Sequence, residues 1–464
     1  MGNTPLNVER DEITNVAAVF SATADVIAAQ RQLVAACTFN GPMAGRKYTD
    51  SGTAVHGGYQ KVATVLQKWQ EQSIGLATSL RSAAGQYGAG DRGRHGPGCA
   101  VLMAEGPSIQ DVKKLLDSPG VSDAVKRELL TAFVAEHPFD SAQLRSYGDR
   151  LGMPDITLGG VGPGPAIPEV KLSKAMDDAA KQLNRRAAED GKRALGEGGS
   201  GAANSNPILD MGAPGLRYFE YFAPLYRRCV SSTDIDRDKA CELYDEQRDM
   251  DFGALRSDAA TIGAAASTLS AKIIDQRNAW NTVDQIWTGK GAEAANSYVS
   301  GYLGQAQMAQ GQVQKFGTVL APAADALEKA VRDKAKVVAD LYADSIGGKS
   351  PAQIDEIISY AQSGHNIFSD IPETLRILSM FGASVSPGFK DKLLMTLGGT
   401  LPGGSLLGAG SFGVDLLNKA QTLTQNFVDN VFKPDVEGKW RALVDTSTAT
   451  DKSVRRSTGG SSTT

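Results

Sequence analysis

The sequence predicts a mainly α-helical protein with two antiparallel helical hairpins, a Gly/Pro-rich linker between them and a further helical region after them. Aromatic residues make up only 6% of the 464 residues, and alanine, glutamine and glycine are abundant. This composition is more typical of thin helical bundles than of a β-sandwich. Long runs of apolar residues at alternating spacings of three and four point to the same fold class, because that period places them on one helix face.

The first predicted hairpin is formed by residues 9–36 and 55–87. A polar stretch that contains several glycines separates its two helices and breaks the pattern. Gly88 and Gly90 are expected to end the second helix. The apolar seam is formed by Ile13, Val16, Phe20, Thr23, Ile27, Gln30 and Val34 in the first helix, and by Val55, Tyr59, Val62, Leu66, Trp69, Ser73, Leu76, Leu80, Ala83 and Tyr87 in the second.

The second predicted hairpin, within residues 250–343, has the longest seam of the chain. The tripeptide Trp287-Thr-Gly289 interrupts it and marks the reversal, where Gly289 permits a tight turn. The two arms would be roughly 55 and 80 Å long at 1.5 Å per residue. Their seam residues are Phe252, Leu255, Ala259, Ile262, Ala266, Leu269, Ile273, Gln276, Trp280, Val283 and Trp287, then Ala295, Val299, Tyr302, Ala306, Ala309, Val313, Phe316, Leu320, Ala323, Leu327, Ala330, Lys334, Val337 and Leu341.

These patterns and the glycine-rich breaks between them divide the chain into six predicted regions. The linker contains two glycine-rich stretches on either side of one charged helix, and the tail is rich in serine, threonine and glycine. The regions are the first hairpin (1–95), a short-helix region (96–155), a flexible linker (156–215), the second hairpin (216–345), a C-terminal helical region (346–450) and a disordered tail (451–464).

Charge and hydropathy exclude several function classes. The net charge of −4 argues against nucleic acid as a partner. The polar N-terminus lacks the basic and apolar regions of a signal peptide, and no long uncharged apolar run predicts a transmembrane segment. We find no motif for a metal ion or another cofactor. The four histidines are scattered and no nucleophile motif is present, so an enzyme is less favoured, although distant side chains can converge in space.

Three local patterns allow two interpretations each. Cys229 and Cys241 are close enough in sequence to form a disulfide in an oxidising compartment, or they are separate buried thiols. The aromatic segment 218–226 is a membrane or partner patch, or a helix face that packs on its neighbours, which is favoured. The segment 343–350 approaches a phosphate-binding P-loop, but Ser350, Pro351 and Gln353 also predict a capped helix start, which is favoured.

Two features resemble helical hairpins that type VII (ESX) secretion systems export. Trp287-Thr-Gly289 between two long seamed helices resembles the turn of WXG-type hairpins, over residues 251–344. Residues 1–95 resemble a second family of ESX-associated hairpins, through Ser79-Leu-Arg-Ser-Ala-Ala84 and the following Tyr87-Gly-Ala-Gly-Asp91. In that family the pattern Tyr-x-x-x-Asp/Glu just past the hairpin is the export signal, so the resemblance implies this role for Tyr87 and Asp91.

The resemblance implies a secreted or envelope-associated, virulence-associated protein that acts through helix–helix contacts. The expected partners are the ATPase or a chaperone of the secretion machinery, and a second hairpin from this or another chain. The second hairpin lacks the signal, because Ile346 stands four residues after Tyr342. One alternative is an exported enzyme or toxin with its activity in residues 345–464, and another is a cytoplasmic adaptor.

Overall fold

A computed structural model shows that the protein is mainly helical, which confirms the mainly α class of the predicted fold. It describes residues 10–45, 47–81, 109–136, 144–153, 172–199, 201–285, 290–363, 371–382 and 406–459. These residues contain no β-strand, and their only β-type pairings are three isolated bridges, one of which joins Ala44 to Met250. The chain is therefore held together by packing between helices.

Fifteen α-helices occur in the described residues, together with two short non-α segments. A 3₁₀ turn, Ala213–Leu216, joins α7 to α8, and a π-helical turn, Val428–Phe432, joins α14 to α15. The helices are α1 (Arg10–Ala35), α2 (Thr49–Arg81), α3 (Ile109–Asp117), α4 (Asp123–Glu136), α5 (Arg145–Arg150), α6 (Leu172–Glu197), α7 (Asn206–Gly212), α8 (Arg217–Cys229), α9 (Arg237–Asp245), α10 (Phe252–Asp284), α11 (Lys290–Asp340), α12 (Pro351–Gln362), α13 (Ile371–Met380), α14 (Leu406–Phe427) and α15 (Lys433–Gly459).

Helices α1 and α2 pack against each other in opposite directions. The Ser73 hydroxyl, late in α2, donates to the carbonyl of Phe20, early in α1, while Gly52 at the start of α2 lies against Asn40 after the end of α1. A Cβ at position 52 would collide with the Asn40 carbonyl, so the close approach requires glycine there. The seam predicted from Val16 to Leu76 is buried, apart from a half-buried Gln30.

Helices α10 and α11 form the second antiparallel pair. The Asp251 side chain caps the start of α10 by accepting a hydrogen bond from the Ala254 backbone N–H. The Trp280 indole, late in α10, donates to Asn296, early in α11, and the Gln310 amide donates to the Ala266 carbonyl. The predicted seam of α10 is buried from Phe252 to Val283.

The two helix pairs pack face to face and share one hydrophobic core. The Tyr59 and Phe316 rings meet edge to face with centroids 5.7 Å apart, and Phe20 packs on Tyr302 at 5.5 Å. Gly58 lies so close to the Phe316 ring that a Cβ there would collide with it. The apolar surface of the α1–α2 pair is thus covered by α10 and α11 of the same chain.

The described part of the predicted linker is packed rather than flexible. Helix α6 fills most of it, and α7 lies between α6 and α11. The glycines of this segment let neighbouring backbones approach closely. A Cβ at Gly191, Gly212 or Gly215 would collide with the backbone of Met211, Ala335 or Val338, respectively. High glycine content predicts flexibility, but in this segment it allows helices to pack at short distance.

The short-helix region has a small core of its own. Helices α3, α4 and α5 bury Val112, Leu129 and Leu144 against the first half of α6, where Ala175 and Ala179 are buried. The Tyr147 hydroxyl donates to Asp117 over 2.6 Å and ties α5 to the end of α3. Helix α6 joins this core to the rest of the molecule, since its far end places Leu195 in the main core.

The C-terminal region belongs to the main core, so the boundary predicted at residue 345 does not divide it. Helix α15 packs on α8, where Tyr218 and Tyr226 donate hydrogen bonds of 2.6 Å to Asp435 and Glu437. The aromatic segment 218–226 is therefore a packing face, as favoured. The predicted disordered tail is helical as far as Gly459, because α15 continues with Val454 buried against the core.

The segment 343–350 forms a capped helix start, which confirms the favoured interpretation. The Ser350 hydroxyl accepts from the Gln353 backbone N–H, and the Gln353 side chain accepts from the Ser350 backbone N–H. Gly347 and Gly348 have positive φ angles of 56° and 72°, a conformation that favours glycine. The glycines that suggested a P-loop therefore form the turn before α12.

Candidate functional site: the interface between the two helix pairs

A chain of buried polar groups crosses the centre of the interface between α1–α2 and α10–α11. The Gln276 amide of α10 donates to the Ser73 hydroxyl over 3.3 Å and to the Tyr302 hydroxyl over 3.1 Å. The Trp69 indole N–H donates to the same Tyr302 oxygen over 2.9 Å, and Ser73 donates to the Phe20 carbonyl over 2.9 Å. One continuous set of neutral hydrogen bonds thus links all four helices.

This polar chain fixes the register of the interface. Ser73 and Gln276 are fully buried, and sliding one pair by a turn would leave their polar atoms without partners in an apolar core. Burial also raises the pKa of the Tyr302 hydroxyl, so the group is neutral at physiological pH. The interface therefore combines non-directional apolar contacts with directional hydrogen bonds that fix the relative position of the two helix pairs.

Asp258 joins the same two pairs at the other end of the interface. Its carboxylate, on α10, accepts hydrogen bonds from the backbone N–H groups of Thr38 and Phe39 over 3.1 and 2.8 Å. Those amides belong to the loop between α1 and α2, and the Asp258 residue is only 4% exposed. A charge that has left water is stabilised here by backbone donors of the opposite helix pair.

Glu328 holds Gly201 and Ala202 against α10 and α11. Its side chain is 2% exposed and accepts from the backbone N–H groups of Gly201 and Ala202, from Arg256 and from Arg332. Burial alone would raise the pKa of Glu328, but these four donors outweigh it and hold the pKa at about 2. The carboxylate is thus ionised at all moderate pH values.

Lys334 is a buried cation where α11 meets the end of α9. Its ammonium group donates to the Leu243 carbonyl and to the Gln247 side chain, whose amide in turn donates to the Tyr48 hydroxyl. Burial lowers the pKa of Lys334 to about 8. Asp258, Glu328 and Lys334 are the buried charged side chains of the described residues, and all three lie near the start of α10 or the end of α11.

Helices α2 and α10, which each pack on α1 and α11, end at the same level at the opposite end. They run in the same direction, because Tyr59 and Ile262 both contact the stretch at Phe316–Gly317 while Ser73 bonds Gln276 further along. The Ser73–Gln276 pair is 203 residues apart in sequence, and the last residues of the two helices, Arg81 and Asp284, have the same separation. Both helices therefore stop at the same level of the bundle, next to the start of α11.

The residues that the sequence singled out for export and turn formation lie outside the described residues. Tyr87 and Asp91 follow Arg81 by six and ten residues, and Trp287 and Gly289 fall between α10 and α11. Those assignments stay predictions.

Cys229 and Cys241 are free thiols in the structure, so the disulfide that their spacing allows is not formed. Both residues are half-buried, and burial raises the pKa of each thiol. Cys37, within the interface, is also free, and burial followed by the nearby Asp258 charge raises its pKa to about 12. None of these three thiols has the lowered pKa of a reactive cysteine.

The sequence alone did not identify Asp258 and Glu328 as buried residues that hold distant segments together. Both are ordinary acidic residues beside seam positions, and only the fold reveals that they are buried with donors from distant segments. The burial of Lys334 could be predicted from the sequence, because a lysine at a predicted seam position is expected to be buried and hydrogen-bonded.

The described residues contain no group of three or more His, Cys, Asp or Glu side chains arranged to hold a metal ion. In this part of the chain we also find no helix with both the length and the apolar character needed to span a membrane. What the site offers chemically is a specific contact between helices.

No family model matches this sequence, and the comparisons with curated proteins and with solved structures give no match either.

Proposed function

We propose that this protein is a non-enzymatic substrate of a type VII secretion system, in which two helical hairpins of one chain dock on each other. In this proposal α1–α2 and α10–α11 are the two hairpins, and Tyr87 and Asp91 form the export signal. The protein would then act at the cell envelope or outside the cell through helix–helix contacts.

The observation that supports this proposal is the common end of α2 and α10. The segment after Arg81 leads to Tyr87 and Asp91, and the segment after Asp284 contains Trp287 and Gly289. Since α2 and α10 stop at one level, both sequence features follow helices that end at the same end of the bundle. A receptor that binds this end could contact both.

The buried interface also supports the proposal. A hairpin with an exposed apolar seam needs a partner before it is soluble, and here α10–α11 covers the seam of α1–α2. The fully bonded chain from Trp69 to Ser73 makes this pairing specific. The protein would therefore reach the secretion machinery without a separate hairpin partner.

The experiment is export of the Tyr87→Ala variant from the producing cells, with the culture separated into medium, envelope and cytosol. We expect the unchanged protein in the medium or envelope and the variant in the cytosol. In this proposal Tyr87 serves recognition and not packing, so the thermal unfolding midpoint of the variant should equal that of the unchanged chain.

The matched control is Tyr342→Ala, a tyrosine just after the second long helix that lacks an acidic residue four positions later. Its hydroxyl donates only a 3.3 Å hydrogen bond to the Lys181 carbonyl. Export of this control should be normal. Normal export of Tyr87→Ala, or retention of the unchanged protein in the cytosol, would contradict the proposal.

A further inference from the structure

The outward face of α11 differs from the rest of the protein surface because it is nearly free of charge. Between Glu293 and Asp325 the only charged residue is Lys315, whereas charged residues make up 22% of the whole chain. At 1.5 Å per residue this stretch is about 45 Å long. Depletion of charge is a property of the centres of protein interfaces rather than of free surfaces.

Large apolar side chains are exposed on the same surface. Tyr298, Met308 and Val319 are 60%, 64% and 42% exposed, respectively, and they account for three of the eight large hydrophobic residues that are exposed among the described residues. Such a concentration on one helix is typical of a contact surface.

Three glycines in the interior of α11 have no packing role within the chain. A Cβ built at Gly301, Gly304 or Gly311 meets nothing within 4 Å, in contrast to Gly317, where it would press on Ile262. Glycine in a helix interior costs stability relative to alanine, so these positions favour a partner that approaches the helix backbone.

These residues form a second seam on the side opposite the buried one. The spacing alternates between four and three, which keeps the positions on one helix face. The seam consists of Ser297, Gly301, Gly304, Met308, Gly311, Lys315, Thr318 and Pro322. Gly304 is half-exposed, and the remaining members are exposed.

We propose that this face binds the same face of a second copy of the chain, with the two α11 helices antiparallel about a two-fold axis between positions 309 and 310. Size complementarity argues for this occupant, because every layer of the pair then sets a larger residue against a smaller one. The layers pair Met308 with Gly311, Lys315 with Gly304, Thr318 with Gly301 and Pro322 with Ser297.

The area that this seam could bury is the area expected for a specific but weak dimer. It is about 39 Å long and one helix diameter wide, which gives roughly 400 Å² of projected area per copy. Neighbouring side chains such as Tyr298 and Val319 add a rim, and the total approaches the ~1,000 Å² at which specific interfaces begin. Lys315 fits this contact, because its aliphatic stem can cover Gly304 while its ammonium group stays in water.

The test is sedimentation of the full chain over a concentration series, together with the Gly301→Glu/Gly311→Glu double variant. The unchanged chain should form a dimer at high concentration. The double variant should dimerise about tenfold more weakly or worse, because it sets bulky charged side chains against Thr318 and Met308 of the second copy, where only glycine leaves room. Gly75→Glu is the matched control, since Gly75 is also an exposed helix-interior glycine with open space around it, and its dimer should be unchanged.

Cysteine cross-linking tests the orientation independently of any effect on stability. Gly301→Cys/Thr318→Cys should form a disulfide-linked dimer rapidly, whereas Gly301→Cys alone should not, because the antiparallel arrangement separates the two copies of position 301 by about 25 Å along the helix. A monomer at all concentrations would overturn the proposal, as would efficient cross-linking of Gly301→Cys alone, which indicates a parallel pair. Neither result depends on export, so the two proposals can fail separately.

Discussion

The two ends of the four-helix core are held by different kinds of contact. Towards the end where α2 stops, here called the Arg81 end, neutral groups form the hydrogen bonds from Trp69 to Gln276. Towards the opposite end, here called the Asp258 end, buried charges on Asp258, Glu328 and Lys334 bind backbone groups and side chains of distant segments. The same four-helix core thus has a neutral half and a charged half.

This difference predicts that separating the helices costs a different free energy at each of the two ends. Breaking a neutral hydrogen bond exposes groups that water can satisfy, whereas removing one partner of a buried charge leaves an uncompensated charge behind. We therefore expect the Arg81 end to open more readily and independently of pH, and the stability of the Asp258 end to depend on the ionisation of Glu328. In the proposed function, the end that opens more readily is the one beside the export segment.

The largest expected effect is that of Glu328→Ala at the charged end. The substitution leaves Arg256 and Arg332 without their shared buried carboxylate and removes the acceptor for Gly201 and Ala202. We expect a loss of about 3–5 kcal/mol in the free energy of unfolding, measured by chemical denaturation. A loss below about 1 kcal/mol would show that the charged end does not contribute more than an ordinary surface ion pair.

The next effect is the pH dependence of the same contact. Above pH 4.5, Glu328 is ionised in both the folded and the unfolded chain, and the full contribution is present. As pH falls from 4.5 towards 2, the unfolded carboxylate takes up a proton before the folded one, so roughly 3 kcal/mol of stability is lost. The stability difference between the unchanged chain and Glu328→Gln should shrink over this range, and a constant difference would contradict the low folded pKa.

Asp258→Ala should cost about 2–4 kcal/mol, because it leaves the buried backbone N–H of Phe39 and the partly buried N–H of Thr38 without an acceptor. Hydrogen exchange at the amides of Thr38 and Phe39 should accelerate more than exchange in the middle of α1. Asp258→Asn is the control, since its amide oxygen can still accept one of the two bonds and should restore part of the protection. Unchanged hydrogen exchange at Thr38 and Phe39 in Asp258→Ala would show that Asp258 does not hold the loop between α1 and α2.

The smallest effect is expected at the neutral end, from Tyr302→Phe. The ring remains, but the Trp69 indole and the Gln276 amide lose their common acceptor, at a cost of about 1–2 kcal/mol. This loss should be the same at pH 5 and pH 8, in contrast to the charged end. If Tyr302→Phe lost more free energy of unfolding than Asp258→Ala, the neutral end would be the more strongly held one, contrary to this prediction.

The sequence predicts the helices of this core well, because a long three/four spacing matches the period of a helix and is incompatible with the two-residue alternation of a strand. The predicted seam includes polar positions, and Thr23, Ser73 and Gln276 are buried in the structure. The spacing alone does not reveal what each seam packs against, since an apolar stripe is equally satisfied by another chain. The pairing of Ser73 with Gln276 depends on contacts between residues 203 positions apart.

Glycine was the least informative residue type in the sequence. The linker predicted over residues 156–215 includes Gly212 and Gly215, yet these two glycines allow backbone contact with α11. The glycines at 301, 304 and 311 lie inside a helix with open space around them. Close packing, flexibility and an external contact all favour the same residue, so only the surroundings of each Cβ position distinguish them.

The central claim is that α1–α2 docks on α10–α11 of its own chain, and cross-linking of Gln72→Cys/Gln305→Cys tests it most directly. The two native side chains are exposed and meet across the interface with Nε2 and Oε1 2.8 Å apart. Cys99, Cys229 and Cys241 would first be replaced by serine, and a short bismaleimide would then be added to the dilute protein. We predict a cross-link within single chains that migrate as monomers, whereas a cross-link found only between chains, or none, would contradict the claim.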